Sequence, residues 1–136
     1  MAHEVNGGCL CGSIRFTLSG PFDRFYFCYC LRCRKSTGSA HASNIFTTPD
    51  RIQWLSGQER ARRYELPEAE RFCKTFCPDC GSAVPALSRD GKSLIIPAGS
   101  LDADPGIRPQ AGIFWRDRAA WYEDGLAARR HEAYPA

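Results

Sequence analysis

The sequence lacks any long apolar run, since no hydrophobic stretch approaches the roughly 20 residues that a membrane-spanning helix needs. It also lacks a strong charge of one sign. The 18 Lys and Arg residues and 15 Asp and Glu residues leave a formal net charge of +3, too little to require a nucleic-acid partner. Residues 1–8 contain neither a basic start nor an apolar core. We therefore expect no secretory signal, no membrane association and a cytoplasmic location.

Helix signals, internal repeats, low-complexity segments and linkers are scarce or absent. The 136 residues fit one domain over residues 1–136, because domains commonly have roughly 100–150 residues. Alternation of apolar and polar residues at 13–18 predicts a half-buried strand with Ile14, Phe16 and Leu18 on one face.

Weaker strand candidates occupy residues 24–28, 42–48, 52–55, 61–66, 83–87, 93–96 and 112–115. Short helical turns are predicted at 31–37 and 118–124, and a proline-containing loop at 102–110. The chain is thus predicted to be mainly β, with long loops and few short helices.

The eight cysteines are the unusual feature of this otherwise ordinary composition. Without a secretion signal they favour metal binding or chemistry over disulfides, because cytosolic thiols are kept reduced. The chain is also long enough to bury a core without covalent cross-links. A disulfide framework is the alternative if the chain is exported.

Two cysteine pairs that lie far apart in the sequence form a complete set of four thiolates. Cys9 and Cys11 precede a predicted strand, and in extended backbone residues i and i+2 point to the same side. Cys77 and Cys80 form a Cys-x-x-Cys knuckle that Gly81 closes. Four thiolates suit a closed, structural Zn²⁺ site. The alternative for Cys77 and Cys80 alone is a redox dithiol.

The third group, Cys28, Cys30 and Cys33, offers three sulfurs from one loop. Three protein ligands with an open fourth position are typical of a catalytic zinc. The alternative is a second closed site, with Cys73 or His41 as the fourth ligand. An iron–sulfur cluster is the chemical rival for these groups, although its usual four-cysteine spacings are absent.

Three ordered cysteine motifs carry a family resemblance. They are Gly-Gly-Cys-Leu-Cys-Gly-Ser-Ile-Arg-Phe at 7–16, Cys-Tyr-Cys-Leu-Arg-Cys-Arg-Lys-Ser-Thr-Gly-Ser-Ala at 28–40 and Phe-Cys-Pro-Asp-Cys-Gly-Ser at 76–82. The chain resembles the glutathione-dependent formaldehyde-activating enzyme family, which also includes centromere protein V. The resemblance implies a β-tent fold of stacked antiparallel sheets with two zinc sites. It also implies a structural zinc on Cys9, Cys11, Cys77 and Cys80, and a catalytic zinc on Cys28, Cys30 and Cys33.

A zinc ion held by three thiolates is electron-rich and suits a soft ligand such as a substrate thiol, whose pKa it lowers. Arg32, Arg34 and Lys35 flank the triplet and could attract an anionic thiol such as glutathione, or lie solvated at the surface. Together with the resemblance, this predicts a carbon–sulfur lyase, similar to S-(hydroxymethyl)glutathione synthase, that joins or separates a thiol and a small aldehyde.

Two hypotheses compete with this enzyme. The first is a zinc-ribbon-like binding module for nucleic acid or protein, with no catalysis, that would use the knuckle and Arg60, Arg62 and Arg63. Glu59 and Glu65 border that basic segment and make it a poor footprint for nucleic acid. The second is a metal-dependent thiol sensor that would use Cys73.

Overall fold

The computed structural model describes residues 3–135 and is mainly β. Its strands are β1 (Glu4–Gly8), β2 (Arg15–Ser19), β3 (Arg24–Cys28), β4 (Ala42–Thr47), β5 (Ile52–Ser56), β6 (Arg62–Glu65), β7 (Cys73–Phe76), β8 (Ala83–Val84), β9 (Ala86–Leu87), β10 (Leu94–Pro97) and β11 (Ala111–Ile113). The helices are α1 (Leu31–Thr37) and α2 (Tyr122–Leu126). The predicted mainly β class with few short helices is confirmed.

The strands form three sheets, ordered β1-β2-β5, β11-β3-β4-β10-β9 and β6-β7-β8. All pairs are antiparallel apart from β11, which lies parallel to β3. This pair is parallel because the long 102–110 loop returns the chain to the start of β3. There the backbone N–H of Gln110 donates to the backbone carbonyl of Phe25 at 2.8 Å.

Most predicted elements are found, with shifts at their ends. The predicted strand at 83–87 is two short strands separated by Pro85, whose missing N–H cannot join a ladder. The predicted helix at 118–124 begins only at Tyr122. Strands β1 and β7 were not predicted. Within residues 3–135 no helix is both long enough and apolar enough to cross a membrane.

The main core lies between the first two sheets and follows the predicted alternation. Phe16 and Leu18 of β2 are completely buried, and the Phe16 ring meets Trp54 edge to face at 5.7 Å between ring centroids. The buried cluster comprises Val5, Phe16, Leu18, Phe25, Ile45, Leu94 and Ile96. Burying side chains of this size stabilises the fold by about 1.5–3 kcal/mol each.

Two smaller apolar clusters surround the cysteines. One packs Cys9 and Cys77 against Ile14 and Val84, where the β1–β2 connection meets the β7–β8 connection. The other packs Cys28 and Cys33 against Ala42 and, at its edge, Phe72 and Ile113. The cysteine groups are therefore fixed by packing at the ends of strands.

Candidate metal centres

The first centre brings together Cys9, Cys11, Cys77 and Cys80, whose four sulfurs lie within 4.8 Å of one another. The Cys11 sulfur is 3.6 Å from that of Cys9 and 3.8 Å from that of Cys77. In a tetrahedron with metal–sulfur bonds of about 2.3 Å, sulfurs are separated by about 3.8 Å. This donor set therefore fits a four-coordinate thiophilic metal ion such as zinc.

Neighbouring polar groups support these sulfurs. The Ile14 amide donates to the Cys9 sulfur at 3.3 Å, and the Ser13 hydroxyl lies 3.2 Å from the Cys11 sulfur and 3.4 Å from the Cys77 sulfur. The contact between Cys80 and the Ser82 hydroxyl lowers the pKa of Cys80 to about 5. A lowered pKa favours the thiolate, the form that binds metal.

The second centre is the triplet Cys28, Cys30 and Cys33, whose sulfurs also lie within 4.8 Å of one another. Cys28 ends β3, Cys30 is the extended N-cap of α1, and Cys33 lies in the first turn of that helix. The Cys33 amide donates to the Cys30 sulfur at 3.4 Å. The change from strand to helix is what turns the three side chains toward one point.

The sulfurs of the triplet influence one another strongly. The hydrogen bond from Cys33 lowers the pKa of Cys28 to about 6, and the same contact raises the pKa of Cys33. Cys28 and Cys33 are both buried. The geometry therefore favours a thiolate at Cys28 and offers three soft donors to one ion.

Neither suggested fourth ligand joins the triplet. In the part of the chain that the structure describes, its group of mutually close ligand atoms contains only the three cysteine sulfurs. His41 stacks on Phe27 at 4.1 Å between ring centroids, and its Nδ1 lies 3.2 Å from the Ser43 hydroxyl. Cys73 lies on β7 with its sulfur 3.6 Å from the Leu87 carbonyl oxygen.

Sequence reasoning missed an aromatic cluster beside the triplet. Tyr29, between Cys28 and Cys30, is 4% exposed and donates a 2.9 Å hydrogen bond to the Tyr122 hydroxyl. Its ring packs edge to face on Trp115 and His41. Burial raises the pKa of Tyr29 to about 12, so it stays a neutral donor. The only sequence signal for this cluster was that aromatic residues are concentrated around Tyr29 and around Tyr122.

The basic residues near the two centres differ in their partners. The Arg34 guanidinium donates to the Asp117 carbonyl at 3.2 Å, whereas Arg32 and Lys35 are exposed. In the β6 region Arg60 pairs with Asp79 and Arg63 pairs with Glu65. Arg62 is exposed on the same strand. Because carboxylates offset two of these three arginines, the region makes a weak surface for phosphate binding.

The fold and its thiol groups define a mainly β protein with two cysteine sites, each able to hold a metal ion. A sequence model of the glutathione-dependent formaldehyde-activating enzyme family matches residues 4–117. The chain therefore belongs to that family. The match includes all eight cysteines and both centres.

Two other proteins are similar to this chain. A Halomonas elongata protein named after the same enzyme is 28% identical over 129 residues, which cover 88% of this chain and 80% of the relative. A crystal structure of a Rhodobacter sphaeroides protein superposes with a TM-score of 0.58 at 19% identity, covering 79% of this chain and 97% of that one. The second likeness shows a shared fold.

Proposed function

We propose that this protein is an enzyme that forms or cleaves the adduct between a glutathione-like thiol and formaldehyde or another small aldehyde. The observation that carries the proposal is the triplet of Cys28, Cys30 and Cys33, three convergent sulfurs that no fourth ligand of the described chain joins. Membership of the family supports the choice of thiol and aldehyde. The reaction places it among carbon–sulfur lyases, and the use of glutathione fits a cytoplasmic location.

Two zinc ions suit the two centres. Cys9, Cys11, Cys77 and Cys80 would hold a structural zinc that ties the β1–β2 connection to the β7–β8 connection. Cys28, Cys30 and Cys33 would hold the catalytic zinc. When bound there, zinc lowers the pKa of a thiol that takes the remaining position and keeps it nucleophilic.

The residues around the triplet supply orientation and charge. The Cys33 amide stabilises negative charge on the Cys30 sulfur. Arg34 and Lys35 on α1 favour an anionic thiol over a neutral one. Adduct formation creates one carbon–sulfur bond and breaks the π bond of the aldehyde carbonyl, whose carbon then bears a hydroxyl group, with no oxidation or reduction. The thiol releases one proton and the aldehyde oxygen takes one up, so the reaction needs no further reactant.

Metal analysis combined with an adduct assay tests this assignment. We expect wild-type protein to hold about two zinc ions per chain, and Cys30→Ser to hold about one. The variant should also lose adduct formation between glutathione and formaldehyde, followed by NMR. Cys73→Ser is the matched control, since Cys73 lies outside both groups. Two firmly bound zinc ions in Cys30→Ser, or a wild type that responds to no thiol, would contradict the proposal.

A further inference from the structure

A lysine on the central strand of the third sheet bonds to the helix that carries Cys33. The Lys74 ammonium donates to the Ser36 carbonyl at 3.0 Å, and the two residues are 38 positions apart in the sequence. Lys74 lies on β7, and Ser36 lies in the last turn of α1. The contact is partly buried. It therefore joins a strand and a helix that the sequence keeps well apart.

The Ser36 carbonyl belongs to a helix end that needs outside donors. The last four carbonyls of an α-helix have no amide of the helix to accept from, and a cation is favoured at this end. In the described chain, residues 3–135, no carboxylate forms an ion pair with Lys74. Its positive charge therefore acts on the end of α1, where a charged donor makes a stronger hydrogen bond than a neutral one.

The turn that Lys74 holds is itself bonded to Cys33. The Thr37 hydroxyl donates to the Cys33 carbonyl at 2.7 Å, and the Ser36 hydroxyl donates to the same carbonyl at 3.2 Å. Cys33 is buried, and its sulfur is one of the three in the triplet. Because these bonds tie the turn to the Cys33 backbone, a contact that fixes Ser36 also fixes Cys33.

Strand β7 gives Lys74 a rigid support. The strand is paired with β6 on one side and with β8 on the other. Just before it, the Arg89 guanidinium donates at 3.0, 2.8 and 3.4 Å to three backbone carbonyls, those of Leu66, Ala69 and Phe72. Phe72 packs at the edge of the triplet's apolar cluster. The position of β7 is therefore set without α1, and Lys74 passes it to the helix.

We propose that Lys74 is a positioning residue of the triplet. Its bond to the Ser36 carbonyl holds α1 against β7 and keeps the Cys33 sulfur at the spacing that lets three sulfurs bind one zinc ion. Lys74 acts through α1 and is not a ligand. The role rests on the proposed function, because it assumes that the triplet binds zinc.

The four-cysteine centre should not depend on Lys74, although β7 leads directly into Cys77. The knuckle is closed by its own backbone bonds. The Cys77 amide donates to the Ser82 carbonyl at 2.9 Å, and the Gly81 amide donates to the Cys77 carbonyl at 2.8 Å. Loss of the Lys74 contact is therefore expected to affect one centre only.

Zinc release from fully loaded protein to a chromogenic chelator tests the role of Lys74. The release phase that is absent from Cys30→Ser belongs to the triplet. We expect Lys74→Met to release the triplet zinc about five- to twentyfold faster, as loss of one hydrogen bond from a charged donor predicts. Lys74→Arg keeps a cationic donor and should restore slow release. Lys92→Met is the matched control, because Lys92 is exposed in the turn between β9 and β10.

Hydrogen exchange shows whether the effect is local. The Gly38 amide donates to the Arg34 carbonyl at 2.8 Å and reports on the end of α1. Its exchange should be faster in Lys74→Met, while the amide of the fully buried Phe16 should exchange as in wild type. Lys74→Gln replaces Lys74→Met if the methionine variant does not fold, with the same expected results.

The outcomes separate this role from the function on which it rests. Wild-type release from Lys74→Met, equal acceleration at both centres, or fast release from Lys74→Arg would overturn the positioning role. Failure of both neutral variants to fold would also overturn it, since Lys74 would then support the whole fold. A wild-type protein that holds only one zinc ion would instead refute the proposed function.

Discussion

Gly57 is predicted to be essential for the shape of the four-cysteine centre. It follows β5 with φ of 76°, a backbone conformation that favours glycine. A Cβ atom added there would overlap the Ser13 carbonyl oxygen and lie 2.9 Å from the carbonyl carbon. The Ser13 hydroxyl contacts Cys11 and Cys77. Gly57→Ala therefore displaces the Ser13 loop, which carries Cys11 and contacts the sulfur of Cys77.

The cost of Gly57→Ala has two parts. Placing alanine in the left-handed region costs about 1–2 kcal/mol, and overpacking against backbone adds about 1–3 kcal/mol. The Ser13 loop cannot easily yield, because the Cys9 amide donates to the Ile14 carbonyl at 3.0 Å. We therefore expect the free energy of unfolding to fall by about 2–5 kcal/mol. One zinc ion should also transfer faster to a chromogenic chelator.

Gly91→Ala separates these two parts. Gly91 has φ of 73°, and an added Cβ there meets no atom within 4 Å, so only the backbone cost of about 1–2 kcal/mol applies. Urea unfolding of the zinc-loaded variants measures both losses. Equal losses in the two variants, or wild-type zinc release from Gly57→Ala, would refute the reasoning.

Three further predictions concern the first metal centre, the core and one surface pair. Cys77→Ser should lower zinc content by about one ion and remove much of the roughly 10 kcal/mol that a structural zinc can contribute, as metal analysis and urea unfolding would show. Phe16→Ala should cost about 3–5 kcal/mol in the same unfolding assay, because Phe16 is fully buried against Trp54. Arg108 holds the pKa of Asp104 at about 2. The ionised Asp104 carboxylate should therefore contribute fully to stability at pH values above the ordinary pKa of an aspartate, and this contribution should be lost as the pH falls through about 2. NMR titration should show a higher pKa for Asp104 in Arg108→Gln.

Local signals explain which elements were predictable. Strand β3 and helix α1 have the predicted limits, 24–28 and 31–37. Gly38 ends α1 as its C-cap, as a glycine after a short helical pattern predicts. Counting thiols also grouped Cys9 with Cys77, whose side chains share one buried cluster. These predictions needed only short-range sequence patterns and a count of the cysteine thiols that could bind a metal ion.

Long-range contacts explain what was missed. Strand β1 contains Asn6, Gly7 and Gly8, residue types that strands usually avoid. It forms because it pairs along its whole length with β2. The Tyr29–Tyr122 hydrogen bond joins residues 93 positions apart, and Trp115, whose ring packs on Tyr29, comes from the same distant segment. No local pattern encodes such contacts, so the aromatic cluster required the structure.

Zinc-edge X-ray absorption on protein loaded with two zinc ions tests the central claim of an open three-cysteine site most directly. Four sulfurs at one centre and three at the other predict a mean of about 3.5 sulfurs per zinc, rising to about 4 when glutathione binds. Cys73→Ser should give the same values, because Cys73 belongs to neither centre. A mean of about 4 before any thiol is added, or no rise with glutathione, would contradict the account.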